Sequence, residues 1–153
     1  MYLKQFLEQY KDKNIKIFVD MDGTIADYDI GIAKDYDKKR PLFDSIKKLE
    51  EIAKLNNIEL YILSVTRKNE GCKEKNYWLD KYASFFLESN RVIISREDND
   101  MISSAILKAN YLKSVKRDDN TVIIAIDDDP KVLKEMIKEN EDIILLKDTA
   151  LVD

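Results

Sequence analysis

The sequence predicts an α/β chain built on a doubly wound parallel sheet, three layers deep, with helices on both faces. Two observations carry that expectation. Five short runs rich in Ile, Val and Leu are almost continuously apolar, the habit of strands buried on both faces of a parallel sheet. Between them lie stretches with apolar residues at helical spacing, and alternation of strand and helix implies right-handed crossovers between parallel strands.

Each element can be justified in turn. Residues 1–10 alternate apolar and polar positions at helical spacing. Ile15 to Val19 is the first strand. Leu42 to Asn56 carries apolar residues at 42, 43, 46, 49, 52, 53 and 55, and Pro41 suits the first turn of that helix. Ile58 to Leu63 is the second strand. Lys73 to Phe86 sets Trp78, Leu79, Tyr82, Phe85 and Phe86 on one face, which reads as core. Arg91 to Ile94 is the third strand. Met101 to Lys116 repeats Ile102, Ala105, Ile106, Ala109, Leu112 and Val115 at helical spacing. Thr121 to Ile126 is the fourth strand, Pro130 to Asn140 a helix opened by proline, and Asp142 to Leu146 the fifth strand. No repeat or linker interrupts the 153 residues, so one domain spanning 1–153 is expected.

Composition removes several chemistries. The chain has no His and one Cys, Cys72. Catalysis by Ser-His-Asp or Cys-His, and zinc held by His, are therefore excluded. A disulfide framework within the chain is excluded too, and a reducing cytoplasm is the expected compartment. Without an activating partner Cys72 reads as inert. The N-terminus lacks the apolar stretch of a secretion signal, and no apolar run approaches the ~20 residues of a membrane helix. With 26 basic and 30 acidic residues the net charge is −4, so bulk attraction to nucleic acid or anionic lipid is not expected. Carboxylates, hydroxyls, Lys and Arg are left to do the chemistry.

Ligands of open parallel sheets bind beyond the carboxyl ends of the strands. The residues there are Asp20-Met21-Asp22-Gly23-Thr24 after the first strand and Ser64-Val65-Thr66-Arg67-Lys68 after the second. Ser95-Arg96-Glu97-Asp98 follows the third, and Asp127-Asp128-Asp129 the fourth. Four strands thus deliver carboxylates, hydroxyls and cations to one edge. Two like charges 4 Å apart repel by ~4 kcal/mol at an effective dielectric of 20, so the carboxylates call for a cation. Mg²⁺ fits an all-oxygen ligand set with room for a substrate phosphate. A phosphate so placed faces Asp20 as nucleophile, with Ser64 or Thr66, backbone N–H groups and a lysine on its other oxygens.

These residues resemble a known set. Val19-Asp20-Met21-Asp22-Gly23-Thr24 resembles the Asp-x-Asp-Gly-Thr/Val signature of the haloacid dehalogenase-like phosphatase superfamily. Ser64 is similar to that superfamily's second motif, and Ile126-Asp127-Asp128 to its fourth. The resemblance runs from about Ile15 to Leu146. It implies a Rossmann-like fold and Mg²⁺-dependent phosphomonoester hydrolysis through an aspartyl-phosphate. Asp20 is then the nucleophile. Asp22 protonates the leaving oxygen, deprotonates the hydrolytic water and offers its main-chain carbonyl to the metal. Asp20 and Asp127 are side-chain ligands, and Asp128 an additional ligand or a neighbour of one. Gly23 keeps the turn tight, Thr24 orients the loop and Ser64 donates to the phosphate.

The third-motif lysine is Lys108, which stands 19 residues before Asp127, with Lys75 as its rival. Glu74-Lys75-Asn76-Tyr77-Trp78 resembles a stretch of the 5′(3′)-deoxyribonucleotidases. Only 16 residues, Ile25 to Arg40, separate Thr24 from Pro41, too few for a helical cap, so the resemblance implies an open site and a large substrate. Ser95-Arg96-Glu97-Asp98 and the Lys108 spacing resemble the phosphatase domain of polynucleotide kinase-phosphatases. Those domains have Ser-Gly-Arg where this chain has Ser64-Val65-Thr66-Arg67, and an acid where Ser104 stands.

Nucleotides or polynucleotide phosphate ends are therefore the expected substrates, with a small-nucleotide or other small-metabolite phosphatase as the alternative. Arg67, Lys75 and Arg96 are candidate phosphate contacts, and Lys38, Lys39, Arg40 and Lys68 further cations for an extended anion. For Arg67, Lys68 and Arg96 a solvated surface role is the competing reading. Tyr28 can stack on a base or simply pack. A phospho-receiver domain shares the acidic pocket, but its acceptor Asp would end a middle strand, where this chain has Ser64. A catalytically silent binding module is the other class, although none of the expected catalytic side chains is missing. Sequence leaves the oligomeric state open.

Overall fold

A computed structural model describes residues 3–28 and 35–152. Its core is one sheet of five parallel strands: β1 (Asn14–Val19), β2 (Ile58–Thr66), β3 (Arg91–Ser95), β4 (Thr121–Asp127) and β5 (Ile144–Lys147). Their order in space is β3-β2-β1-β4-β5. Among the described residues five α-helices accompany them: α1 (Leu3–Glu8), α2 (Phe43–Ala53), α3 (Asn69–Tyr82), α4 (Ser104–Ser114) and α5 (Pro130–Glu139). This is the doubly wound, Rossmann-like α/β architecture that the sequence predicts.

Strand alternation sorts the core into two layers. Ile15, Ile17 and Val19 of β1 point to one face, with Ile62, Ile124, Leu49 of α2 and Trp78 and Leu79 of α3. Phe18, between them, points to the other face, with Leu63, Ala125, Ala109 and Leu112 of α4, and Val132 and Met136 of α5. Both faces of β1 are covered and both edges paired, at Ile17↔Leu60 and Ile17↔Ile124 among others. Hence its unbroken apolar run. Trp78 is fully buried, as its helical face predicts; Phe86 is fully buried too, but from the turn that follows α3, which ends at Tyr82 and not at Phe86.

Some boundaries move, for local reasons. The pattern ends the second strand at Leu63, but pairing of Thr66 with Ser95 carries β2 three residues further. The pattern starts the following helix at Lys73. The Glu97 carboxylate accepts the Asn69 N–H at 2.8 Å, so α3 opens a turn earlier. Ser103 accepts the Ile106 N–H at 3.2 Å and caps α4, leaving Met101 outside the helix. Asp129 caps α5, with Pro130 in its first turn.

The winding direction reverses at β1. The chain runs outward through β2 and β3, then returns to place β4 on the other side of β1. The carboxyl ends of β1 and β4 therefore flank the crevice where such sheets bind ligands. Among the described residues no helix is long and apolar enough to cross a membrane. Residues 29–34 of the expected short cap (25–40) lie outside the described residues.

Candidate active site

The chain after β1 is wound into a tight loop around one carbonyl. Met21 is buried, and its C=O accepts the N–H groups of Thr24, Ile25 and Ala26 at 3.1, 2.9 and 3.0 Å. Gly23 has φ +81°, where an L side chain is strained. A Cβ there would lie 2.1 Å from Asp128 Oδ2, so glycine also makes room for the next carboxylate. Asp20 is locked to the neighbouring strand by its N–H, which donates to the Ile126 carbonyl at 3.0 Å.

Asp20, Asp127 and Asp128 each bring a carboxylate oxygen within 4.8 Å of the others, a group that can hold a metal ion. Lys108, buried on α4, donates at 2.7 Å to Asp20 Oδ1 and at 2.7 Å to Asp127 Oδ2. One ammonium thus pairs with two of the three carboxylates. Burial and the Asp20 charge push Asp127 up to about 6 despite Lys108. Burial, with the adjoining Asp20 and Asp127, pushes Asp128 up to about 7. Burial disfavours the charge on Lys108, but Asp20 and Asp127 outweigh it and raise its pKa. Both acids are raised first by burial and then by the neighbouring carboxylates, which Lys108 offsets only in part at Asp127. Hard oxygen donors in excess charge suit a divalent cation such as Mg²⁺.

Asp22, two residues on, has different company. Lys39 donates to its Oδ1 at 2.5 Å and Lys75 to its Oδ2 at 3.1 Å. Lys75 spends its other donors on Ser64 Oγ (2.6 Å) and the Val65 carbonyl (3.0 Å). Burial alone would raise the Asp22 pKa; Lys75 and Lys39 together lower it. Burial lowers that of Lys75, against the pull of Asp22. The Tyr36 hydroxyl, buried and facing the Asp22 charge, is pushed far up.

Lys75 and Lys108, rivals for one role in the sequence, are both in the site, Lys75 on Asp22 and Lys108 on Asp20 and Asp127. Asp22 keeps its side chain out of the three-carboxylate group. Ser64 is buried behind Lys75, and Thr24 is buried with its hydroxyl unpartnered among the described residues. Thr24, Ser64 and Lys75 do not line the cavity beside these carboxylates, and neither do Thr66, Arg67 and Arg96. Thr66 packs on Gly71, where a Cβ would fall 1.8 Å from its Oγ1. Arg67 is exposed at the strand end. Arg96 turns back on its own loop, donating to the Asp100 carbonyl at 2.8 Å.

Asp20, Asp22, Tyr28, Ser104, Lys108 and Asp128 are among the residues lining a cavity of about 450 Å³. A second cavity, about 290 Å³ over Leu7, Ile52, Leu55 and Ile58, lies at the amino ends of the strands, away from this chemistry. Sequence reasoning counted Lys39 only among outward-facing cations, and did not single out Tyr36. Nothing in the run Lys38-Lys39-Arg40 marks its middle residue as buried.

No family model matches the chain, and no curated protein matches it. Among solved structures it is similar to a chain of the Pnkp1/Rnl/Hen1 RNA repair complex, with a TM-score of 0.65 and 18% identity over 88% of its length. A second structure of a Pnkp1/Rnl/Hen1 complex gives the same values. The chain spans 42% and 46% of the matched chains, less than half of either. At this identity the likeness shows a shared fold.

Proposed function

We propose that this chain is a Mg²⁺-dependent phosphomonoesterase of the haloacid dehalogenase-like kind, one domain over 1–153, acting on nucleotide or polynucleotide phosphate ends. The observation that carries the reading is the Lys108 ammonium shared by Asp20 and Asp127, with Asp22 held separately two residues on. The likeness to a chain of an RNA repair complex supports the substrate class.

In this reading an Asp20 oxygen bonds to phosphorus while the ester P–O bond breaks. Its electron pair leaves on the oxygen of the alcohol, which takes the proton of Asp22. Water then attacks phosphorus and gives its proton to Asp22. The acyl–phosphate bond breaks, and Asp20 and inorganic phosphate are released. Lys108 holds Asp20 in line and offsets charge on the phosphoryl group. Lys75, with Ser64 behind it, would meet its other oxygens. Asp20, Asp127 and Asp128 would hold Mg²⁺, which when bound draws negative charge off the phosphoryl oxygens.

A small-nucleotide phosphatase is the second reading, favoured by the burial of Lys75 against Asp22 and Ser64. One screen tests both: phosphate release from 3′- and 5′-phosphorylated oligonucleotides, the matching mononucleotides and sugar phosphates, with and without Mg²⁺. The polynucleotide reading expects oligonucleotides to be turned over best, by a margin that shrinks as salt rises. Better turnover of mononucleotides with no salt effect selects the second reading. Asp20→Asn is expected to abolish release while the circular dichroism spectrum stays that of the wild type. Turnover by Asp20→Asn near the wild-type rate refutes the mechanism.

A further inference from the structure

Lys39 arrives from the segment Tyr36–Arg40, just before α2, and that segment is pinned on two sides. The Asp27 N–H donates to the Arg40 carbonyl and the Leu42 N–H to the Ile25 carbonyl, both at 2.8 Å, tying it to the loop after β1. The buried Trp78 indole donates to the Lys39 carbonyl at 2.9 Å, tying it to α3. Tyr36 rests edge-on against Trp78, 6.1 Å between ring centres. With the backbone so fixed, the Lys39 side chain passes the Tyr36 ring (4.8 Å from ammonium to ring centre) and ends on Asp22.

Neutralising Asp22 does not require this lysine, because Lys75 already pairs with the other oxygen. Burying a second ammonium is costly unless the geometry returns something. What the pair of lysines adds is orientation. One ammonium on each oxygen fixes the plane of the carboxylate, whereas a single contact leaves it free to swing. Each oxygen still has a second lone pair for proton exchange.

We propose that Lys39 is a positioning residue: with Lys75 it holds the Asp22 carboxylate at the leaving oxygen and out of the Asp20–Asp127–Asp128 group, so that Asp22 exchanges protons and does not become another ligand of the cation. The inference rests on the phosphatase reading, in which Asp22 protonates the departing alcohol. That proton matters for an alkoxide leaving group and little for p-nitrophenolate, which leaves readily as the anion.

The test compares wild type, Lys39→Met and Lys39→Arg, as the full chain with Mg²⁺, on a nucleoside monophosphate and on p-nitrophenyl phosphate. The quantity is kcat/KM, which stops at formation of the aspartyl-phosphate and so excludes the later hydrolysis step that both substrates share. For Lys39→Met, kcat/KM on the nucleoside monophosphate is expected to fall about tenfold or more beyond any fall on p-nitrophenyl phosphate, within the span of general-acid effects. Lys39→Arg is expected to restore most of the difference. In an Asp22→Asn background, Lys39→Met is expected to add nothing to the discrimination. Equal losses on both substrates, or no loss, overturn the inference and leave the phosphatase reading standing. A wild type that releases phosphate from neither of these substrates nor from a phosphorylated oligonucleotide overturns that reading, and this inference with it.

Discussion

Replacing Lys108 by Met removes the ammonium that pairs with Asp20 and Asp127, beside Asp128, while keeping most of the side-chain volume. At 2.7 Å and an effective dielectric of 20, each of its two contacts amounts to ~6 kcal/mol of attraction before desolvation. The net cost of removing one partner from a buried pair is smaller, about 3–5 kcal/mol, and comes from the charges left behind. At about 2–4 °C per kcal/mol for a chain of this size, the melting temperature without divalent cation should fall by roughly 10 °C. The assay is thermal unfolding in EDTA at a pH of about 8, above the raised Asp127 and Asp128 values, since protonation would mask the repulsion. Mg²⁺ at about a hundred times its Kd stabilises a folded protein by about 2.7 kcal/mol. It should help Lys108→Met more than wild type, because more repulsion is there to relieve. A variant melting within roughly 2 °C of wild type in EDTA, or a gap that Mg²⁺ leaves unchanged, refutes the reasoning.

Gly23→Ala should cost about 1–2 kcal/mol for the left-handed backbone alone and, by pushing Asp128 aside, should weaken Mg²⁺ binding in a calorimetric titration; unchanged affinity contradicts the crowding at Asp128. In EDTA, Asp127 and Asp128 bind protons more readily folded than unfolded, since their folded values near 6 and 7 lie above the ordinary 3.8. Their contribution to stability is full below 3.8 and is lost as the pH climbs through 6 to 7, and Mg²⁺ should flatten that decline. Urea unfolding across this range measures it, and a contribution that grows with pH contradicts the placement of these acids.

How much was legible depended on whether a residue's role follows from its position along a strand. The apolar runs declared themselves because β1 and its neighbours are covered on both faces, and strand ends then place Asp20 and Asp127 at one crevice without any side-chain detail. Helix ends were less legible, because they turn on single contacts from distant residues, such as Glu97 on the Asn69 N–H. Lys39 was illegible for the same reason. In Lys38-Lys39-Arg40 the outer side chains are 70% and 76% exposed and the middle one 8%. No periodicity selects the middle residue. The Trp78 indole on its carbonyl does, from 39 residues away. Lys75 and Lys108 looked like competitors because one motif offers one lysine position, whereas the folded site has two separate carboxylate environments to fill.

Those two environments divide the chemistry on the phosphatase reading. Four carboxylates face three ammonium groups, but unequally. Lys108 pairs with Asp20 and Asp127, beside Asp128, whereas Lys39 and Lys75 both pair with Asp22. The first group holds more carboxylates than ammonium groups, which favours a divalent cation; in the second each Asp22 oxygen already has a lysine partner. The same asymmetry drives proton affinities apart, upward at Asp127 and Asp128 and downward at Asp22. At rest Asp22 is therefore a carboxylate, the form that takes a proton from the hydrolytic water. The acid form needed first has to come with the substrate. A phosphate dianion entering beside Asp22 is a like charge, which disfavours the carboxylate, and it offers Lys39 and Lys75 a second anion to hold. On this reading substrate binding would raise the proton affinity of Asp22 at the step where a proton must be given, and conversion of the ester to the aspartyl-phosphate would carry that proton away with the alcohol.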